Sequence, residues 1–225
     1  MARENFIIAI DGFSSCGKST VAKAVAKKLN FVFVDSGAMY RAVTLYFLRH
    51  NIDCTDKDAI IKALENIHID FIPNTEKTQI LLNGEDISEE IRQMAVSENV
   101  SEVSAIKEVR RAMVAQQKQL GERRNIVMDG RDIGTTVFPD ADLKIFMTAD
   151  PLIRANRRLE ELSAKGESVT LEEVIDNLAH RDHIDSSREE SPLRQAEDAI
   201  VLDNSHLSQI EQLEFVLSEY NNRIK

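Results

Sequence analysis

Gly12-Phe13-Ser14-Ser15-Cys16-Gly17-Lys18-Ser19 is the stretch that decides the fold. It fits the pattern G-x-x-x-x-G-K-[ST], which carries meaning only between a strand and a helix. Both neighbours are present: Phe6-Ile7-Ile8-Ala9-Ile10 reads as a buried parallel strand ended by a turn at Asp11-Gly12, and from Lys18 to Leu29 the apolar residues Val21, Ala22, Val25, Ala26 and Leu29 keep helical spacing. Backbone N–H groups of such a loop point inward, the first helical turn adds unsatisfied donors, and the helix dipole favours negative charge. The loop is therefore suited to wrap a polyphosphate. Lys18 is expected to reach the outer phosphates and the Ser19 hydroxyl to ligate a magnesium ion. Gly12, Phe13, Ser14, Ser15, Cys16, Gly17, Lys18, Ser19 and Thr20 form the expected nucleotide-contacting stretch, with Thr20 a helix residue and not a second metal ligand.

The rest of the chain extends this unit into an α/β fold with a five-stranded parallel sheet. Phe31-Val32-Phe33-Val34 is a second strand, and Asp35-Ser36 caps a helix running to about residue 49. Further core strands are read at Asn125–Asp129, Leu143–Met147 and Ala199–Asp203. Between the second and third core strands, from Asp35 to Arg124, the texture changes. Ile67-His68-Ile69-Asp70-Phe71 alternates, and Gln79-Ile80-Leu81-Leu82 runs into Asn83-Gly84, a hairpin-turn dipeptide. Residues 63 to about 95 read as a small α+β insertion over one edge of the site, followed by one long helical stretch from about Ser97 to Leu120. Asp150-Pro151 reads as a helix cap and first helical residue, Thr170-Leu171-Glu172-Glu173 as a capping box, and Lys165-Gly166 as the break between two helices of a lid.

A chain of 225 residues is long enough for one such domain with a substantial core. Its formal net charge of −10 argues against a general nucleic-acid binder, which needs extended basic patches. The Phe6–Ile10 run is too short for a signal sequence or a membrane span, and Cys16 and Cys54 make no disulfide framework. These features predict a soluble, cytoplasmic protein with no membrane partner and, by default, a monomer. Cys16 reads as a small loop filler. The five histidines show no metal-ligand spacing with cysteine.

The candidate acceptor-binding residues lie further along the chain. Arg181, Asp185 and Arg188 share one helical face, and Arg154, Arg157 and Arg158 share another. Either set alone is satisfied by ordinary surface ion pairs. Gly130-Arg131-Asp132 differs in kind, because it follows a buried strand at the end where open α/β sheets hold ligands, and Ser36-Gly37-Ala38-Met39-Tyr40-Arg41 faces the same crevice. Asp129, at a strand end, is a candidate for holding magnesium through water, and Asp11 is a weaker one.

Taken together, the phosphate loop, Asp35–Arg41, Asp129-Gly130-Arg131-Asp132-Ile133-Gly134-Thr135, Val137–Ala141 and Arg181-Asp182-x-x-Asp185-x-x-Arg188 resemble the bacterial cytidylate kinase family over almost the whole chain. The resemblance implies a P-loop NTPase-type core at 1–62, 121–150 and 188–225, a nucleoside monophosphate-binding insertion at about 63–120, and a lid at about 151–187. It also implies transfer of the ATP γ-phosphoryl group to CMP or dCMP, with magnesium required. By similarity Arg41, Arg131 and Arg188 grip the acceptor phosphate, with Ser36 and Tyr40 beside them. Ser101, Arg110 and Asp132 meet the cytosine, Arg181 and Asp185 meet the ribose, and Arg154, Arg157 and Arg158 close on the ATP phosphates. Lys18, Arg131, Arg157 and Arg158 are the expected catalytic cations. The loop departs from the family's usual pattern at Phe13, Cys16 and Ser19. Alternative readings keep the loop but change its use: a kinase for UMP or another small acceptor such as a polyol, or a non-catalytic nucleotide-binding switch. A GTP switch lacks support, since neither D-x-x-G nor Asn-Lys-x-Asp occurs.

Overall fold

The computed structural model describes residues 5–72, 78–122 and 125–224. Positions 73–77, within the expected insertion, and the two chain ends of the expected core lie outside the described residues. In chain order the elements are β1 (Ile7–Gly12), α1 (Lys18–Leu29), β2 (Val32–Asp35), α2 (Ser36–His50), α3 (Lys57–Leu64), β3 (Ile69–Ile72), β4 (Gln79–Leu82), β5 (Glu85–Asp86), a 3₁₀ turn (Glu90–Arg92), α4 (Met94–Ala105), α5 (Lys107–Glu122), β6 (Ile126–Gly130), a π-helical turn (Ile133–Val137), β7 (Leu143–Thr148), α6 (Pro151–Ala164), α7 (Leu171–Ser187), β8 (Ile200–Asp203) and α8 (Gln209–Arg223).

Five strands form one parallel sheet in the order β2-β6-β1-β7-β8. The central strand β1 pairs with β6 on one side, Ile8 opposite Val127, and with β7 on the other, Ile10 opposite Ile145. Its residues are buried on both faces, which is why the run is continuously apolar and does not alternate. The strand runs two residues further than its sequence suggests, because Asp11 and Gly12 stay in register with Phe146 and Met147 before the chain turns. On one face α1 and α8 pack through Val21, Val25 and Val216. The other face is covered by α2, α3, α4, α5 and the small antiparallel sheet β3-β4-β5. That small sheet shares its core with the main body: Phe71, Ile80 and Leu82 belong to the same buried cluster as Ile7, Met39 and Ile126. Helices α6 and α7 pack on each other through a separate minor core of Ala155, Leu162, Val174 and Leu178.

Local signals account for most boundaries. Asp35 caps α2 by accepting the Ala38 N–H, Asp150 caps α6 ahead of Pro151, and Thr170 and Glu173 complete a reciprocal capping box on α7. Asn83 and Gly84 both take positive φ, 53° and 87°, as a tight hairpin turn between β4 and β5 requires. The single helix expected over 97–120 is two helices. It begins earlier, at Met94, and breaks at Ile106, whose ψ of 124° is extended. Neither proline nor glycine marks the break; Val96 and Val103 before it and Val109 and Met113 after it all enter the same core, so packing overrides the continuous helical periodicity.

Candidate active site

The carboxyl ends of β1, β2 and β6 meet at one crevice, each carrying an aspartate: Asp11, Asp35 and Asp129. The phosphate loop rises from β1. At Gly12, where φ is 149°, a side chain would run into the Met147 carbonyl, and Gly17 enters α1 with φ 86°. Lys18 is buried and its Nζ donates to the Phe13 carbonyl at 2.6 Å. Burial, and then the nearby Arg131 charge, hold its pKa below the usual lysine value. Two of the three unusual loop residues, Phe13 and Cys16, are packing residues. Phe13 meets Phe146 edge-on at 5.8 Å with the Arg154 guanidinium 5.3 Å from its centroid, and the buried Cys16 thiol donates to the Phe13 carbonyl.

Beneath the loop, the Ser19 hydroxyl donates to Asp129 Oδ2 at 2.6 Å, while Asp129 Oδ1 is buried without a hydrogen-bond partner. Burial, reinforced by the Asp35 charge, raises the Asp129 carboxyl to about 7. A hydroxyl beside a carboxylate with one uncommitted oxygen is a donor set that fits a hard divalent cation. Asp11 does not offer one. Both of its oxygens are engaged by backbone, accepting the N–H groups of Ile133 and Gly134 at 2.8 and 2.7 Å.

The arginines expected to meet the acceptor gather across the crevice. Arg131 Nε pairs with Asp185 at 2.7 Å and its Nη2 donates to the Ser14 hydroxyl. Arg188, the residue just beyond α7, donates to the other Asp185 oxygen at 3.0 Å and lies 3.6 Å from Asp132. Arg110, only 1 % exposed, donates to Asp132 Oδ2 at 2.7 Å, and its guanidinium lies 5.1 Å from the Tyr40 ring centroid. Burial pushes the Tyr40 hydroxyl above its ordinary range. Arg41 is tied to Asp35 at 3.0 Å, and Ser36 donates to the Asp129 carbonyl. Arg181 is a poorly compensated cation: its buried Nε has no partner, and burial together with Arg131 lowers it to about 10. Ser101 is half-buried on α4, which packs against α7, and its carbonyl accepts from Ser104.

The three arginines expected of a lid do not share one partner. Arg154 reaches the Ser14 carbonyl at 3.0 Å and Asp182 at 2.6 Å, Arg157 donates twice to Asn204, and Arg158 pairs with Glu161 on its own helix. Two residues with no sequence-assigned role organise this contact. Asp182 accepts the Ser14 N–H as well as Arg154, and the buried Asn204 amide donates to the Cys16 carbonyl and to Gln212. Asp182 stands beside Arg181 in the quoted motif, but its partner is 168 positions away; Asn204 had no motif signal at all. Beyond Asn204 an open pocket of about 550 Å³ is lined by Asp150, Asp203, Ser205, His206 and Leu207.

The family model for cytidylate kinase matches residues 8–222. A cytidylate kinase of Bacteroides fragilis is 54 % identical over 223 residues, covering 97 % of either chain, and one of Cytophaga hutchinsonii is 51 % identical over 96 % of this chain and 93 % of its own. The chain belongs to the cytidylate kinase family. Among solved structures, an uncharacterised protein from Eubacterium ventriosum superposes with a TM-score of 0.54 at 12 % identity, covering 98 % of this chain and all of the other, a likeness of fold alone. The phosphate loop, the β6 end with Arg131 and Asp132, and the α7 face with Arg181 to Arg188 all fall inside the matched span. No described helix is long and apolar enough to cross a membrane, and the described residues hold no metal-ready cluster of three or more His, Cys, Asp or Glu.

Proposed function

We propose that this chain transfers the γ-phosphoryl group of ATP to CMP and dCMP, giving ADP with CDP or dCDP, and that the crevice residues divide the work. The observation that carries the reading is the pairing of a phosphate loop with Asp132, a buried carboxylate held between Arg110 and Arg188. Lys18 and the loop N–H groups of Gly12 to Thr20 receive the donor phosphates. In exchanging the Phe13 carbonyl for a phosphate oxygen, Lys18 gains the anion its burial lacks. Magnesium would be held by Ser19 and, through water, by Asp129, whose unpartnered oxygen supports that role. Bound there, the metal would offset charge on the bridging phosphate oxygens.

Arg41, Arg131 and Arg188 bind the acceptor phosphate, with Ser36 and Tyr40 completing the wall, and Asp185 orients two of those arginines from one carboxylate. Arg181 joins Asp185 at the ribose. Its under-compensated charge, in the field of Arg131, Arg158 and Arg41, supports an anionic ligand nearby. Arg110, Asp132 and Ser101 read the base: the carboxylate accepts from the cytosine amino group but would face an acceptor on uracil. Little covalent work falls to the protein. Two polyanions must be aligned, so Lys18, Arg131, Arg157 and Arg158 act by position and charge. Residues 63–120 would carry the acceptor site and 151–187 the lid, whose Arg154, Arg157 and Arg158 close on ATP and exclude water. The pocket beside Asn204 is the space next to the loop for the donor base. The protein works as a monomer in the reducing cytoplasm, without nucleic-acid or membrane partners.

The test is ADP formation from magnesium-ATP with CMP, dCMP, UMP, AMP and GMP, with product identification. CMP and dCMP should exceed UMP in kcat/KM. Equal turnover of UMP, or no turnover of any nucleotide, would refute the acceptor assignment.

A further inference from the structure

Asp11 is the penultimate residue of β1, directly before the first glycine of the phosphate loop, and is 5 % exposed. Its carboxylate spans a sequence gap of more than a hundred positions: Ile133 N–H donates to Oδ1 at 2.8 Å and Gly134 N–H to Oδ2 at 2.7 Å. These are the first two residues of the π-helical turn that follows Asp132. Helical turns begin with N–H groups that lack an internal acceptor, and a short polar residue at the cap position ordinarily satisfies them. Asp132 holds that cap position here and makes no capping bond; its carboxylate is spent on Arg110 instead.

We propose that Asp11 is a positioning residue for acceptor-base selection: it caps the π-helical turn in place of Asp132 and so frees the Asp132 carboxylate to face the base. The proposal rests on the reading of Asp132 as the cytosine-selective group. The turn has little freedom to compensate for loss of this cap. It is closed at its far side by Thr136 and Phe138 N–H bonds to the Asp132 and Ile133 carbonyls, and floored by the Lys144 side chain. Gly134 makes the close approach possible, since a Cβ there would stand 3.3 Å from Asp11 Oδ2 and 3.1 Å from Lys144 Cδ. With the cap lost, Asp132 is the nearest carboxylate able to turn back onto its own helical N–H groups, a bond short aspartates form readily. That rotation takes it off the base. Because Asp11 leads directly into Gly12, the same carboxylate joins the donor loop to the acceptor reader as one rigid piece.

The test compares kcat/KM for CMP and UMP in the parent, Asp11→Asn, Asp132→Ala and the double variant. An asparagine can accept one of the two N–H groups and presents its amide to the other. Asp11→Asn should lower the CMP/UMP ratio by about fivefold or more, the low end of what one polar base contact discriminates, mainly through KM for CMP, while the Kd of a non-hydrolysable ATP analogue stays within about twofold. In the Asp132→Ala background Asp11→Asn should leave the ratio where it already lies. If Asp11→Asn fails to fold, Gly134→Ala displaces the turn without removing the charge and should shift the ratio in the same direction. A lowered melting temperature with an unchanged ratio in Asp11→Asn or Gly134→Ala, while Asp132→Ala shifts it, overturns the positioning role alone. An unchanged ratio in Asp132→Ala overturns the reading of the base contact, and the proposal with it.

Discussion

Replacing Asp132 separates base reading from structural pairing, because the two roles predict different patterns across three substitutions. The carboxylate is almost wholly buried and faces two buried guanidiniums, Arg110 at 2.7 Å and Arg188 at 3.6 Å. Asp132→Ala strands Arg110, whose Nε already lacks a partner, and leaves Arg188 with Asp185 as its remaining counter-ion. Removing one member of such a pair costs about 3–5 kcal/mol, which for a chain of this size lowers the melting temperature by roughly 6–20 °C. The catalytic effect is separate. Loss of the acceptor that meets the cytosine amino group removes about 1–3 kcal/mol of discrimination, or about 5- to 150-fold in the CMP/UMP ratio of kcat/KM. Asp132→Asn sharpens the test. Its amide can keep one oxygen toward Arg110 and turn a donor toward the base, where it matches the uracil O4 and opposes the cytosine amino group. The ratio should then fall below that of Asp132→Ala, while stability falls less. The assay is initial-rate ADP formation at saturating magnesium-ATP with each acceptor, beside thermal unfolding of the same preparations. A lowered melting temperature with the ratio unchanged within twofold in both variants would refute base reading and leave Asp132 a counter-ion for Arg110 and Arg188.

Three further outcomes follow from the same geometry. Asp129 carries a proton in the ligand-free fold up to about pH 7, against 3.8 for an ordinary aspartate. The native state therefore binds more protons than the unfolded chain between those values, and this group's contribution to stability falls as pH rises through that window. Asp129→Asn should melt above the parent at pH 8 without divalent cation, approach it progressively as pH falls through the window and converge with it only near pH 4, and lose magnesium-dependent activity; a variant melting below the parent at pH 8 would contradict the burial argument. Asn204→Ala leaves the Cys16 carbonyl and Gln212 without their donor and removes one of the two acceptors of Arg157, the other being the backbone carbonyl. It should cost about 1–3 kcal/mol in urea unfolding and raise KM for ATP more than KM for CMP; equal changes would argue against a link to the donor loop. In Gly121→Ala the new Cβ would stand 2.5 Å from Phe138 Cζ and 3.3 Å from Ile7 Cδ1, so overpacking of about 1–3 kcal/mol should outweigh the gain in helix propensity and show as a lower denaturant midpoint at unchanged m-value.

Much of the site was legible in the chain because its parts are local. The phosphate loop needs glycines at fixed offsets, and the strand and helix beside it announce themselves by apolar period, so Gly12–Ser19, β1 and α1 follow from a window of two dozen residues. The capping box at Thr170 and the Asn83-Gly84 turn are local in the same sense. The Arg131-Asp132 pair stands out by its place after a strand, whereas the Arg181–Arg188 face reads along its helix only as ordinary ion pairs and enters the candidate site through the family resemblance; neither shows its partners in the sequence.

The partners were a tertiary decision. Ser14 meets Asp182 across 168 positions, Cys16 meets Asn204 across 188, and Asp11 meets the Ile133 turn across 122. No periodicity relates such residues; they become neighbours only when the sheet takes the order β2-β6-β1-β7-β8 and carries their loops to one end. The sequence alone determined which residues have the chemistry for phosphate, metal and base. Only the folded chain decided which carboxylate each arginine meets, that Asp11 holds a backbone turn more than a hundred positions away, and where a helix of unbroken period gives way at Ile106, because burial and long-range pairing outweigh the weak preferences that local sequence expresses.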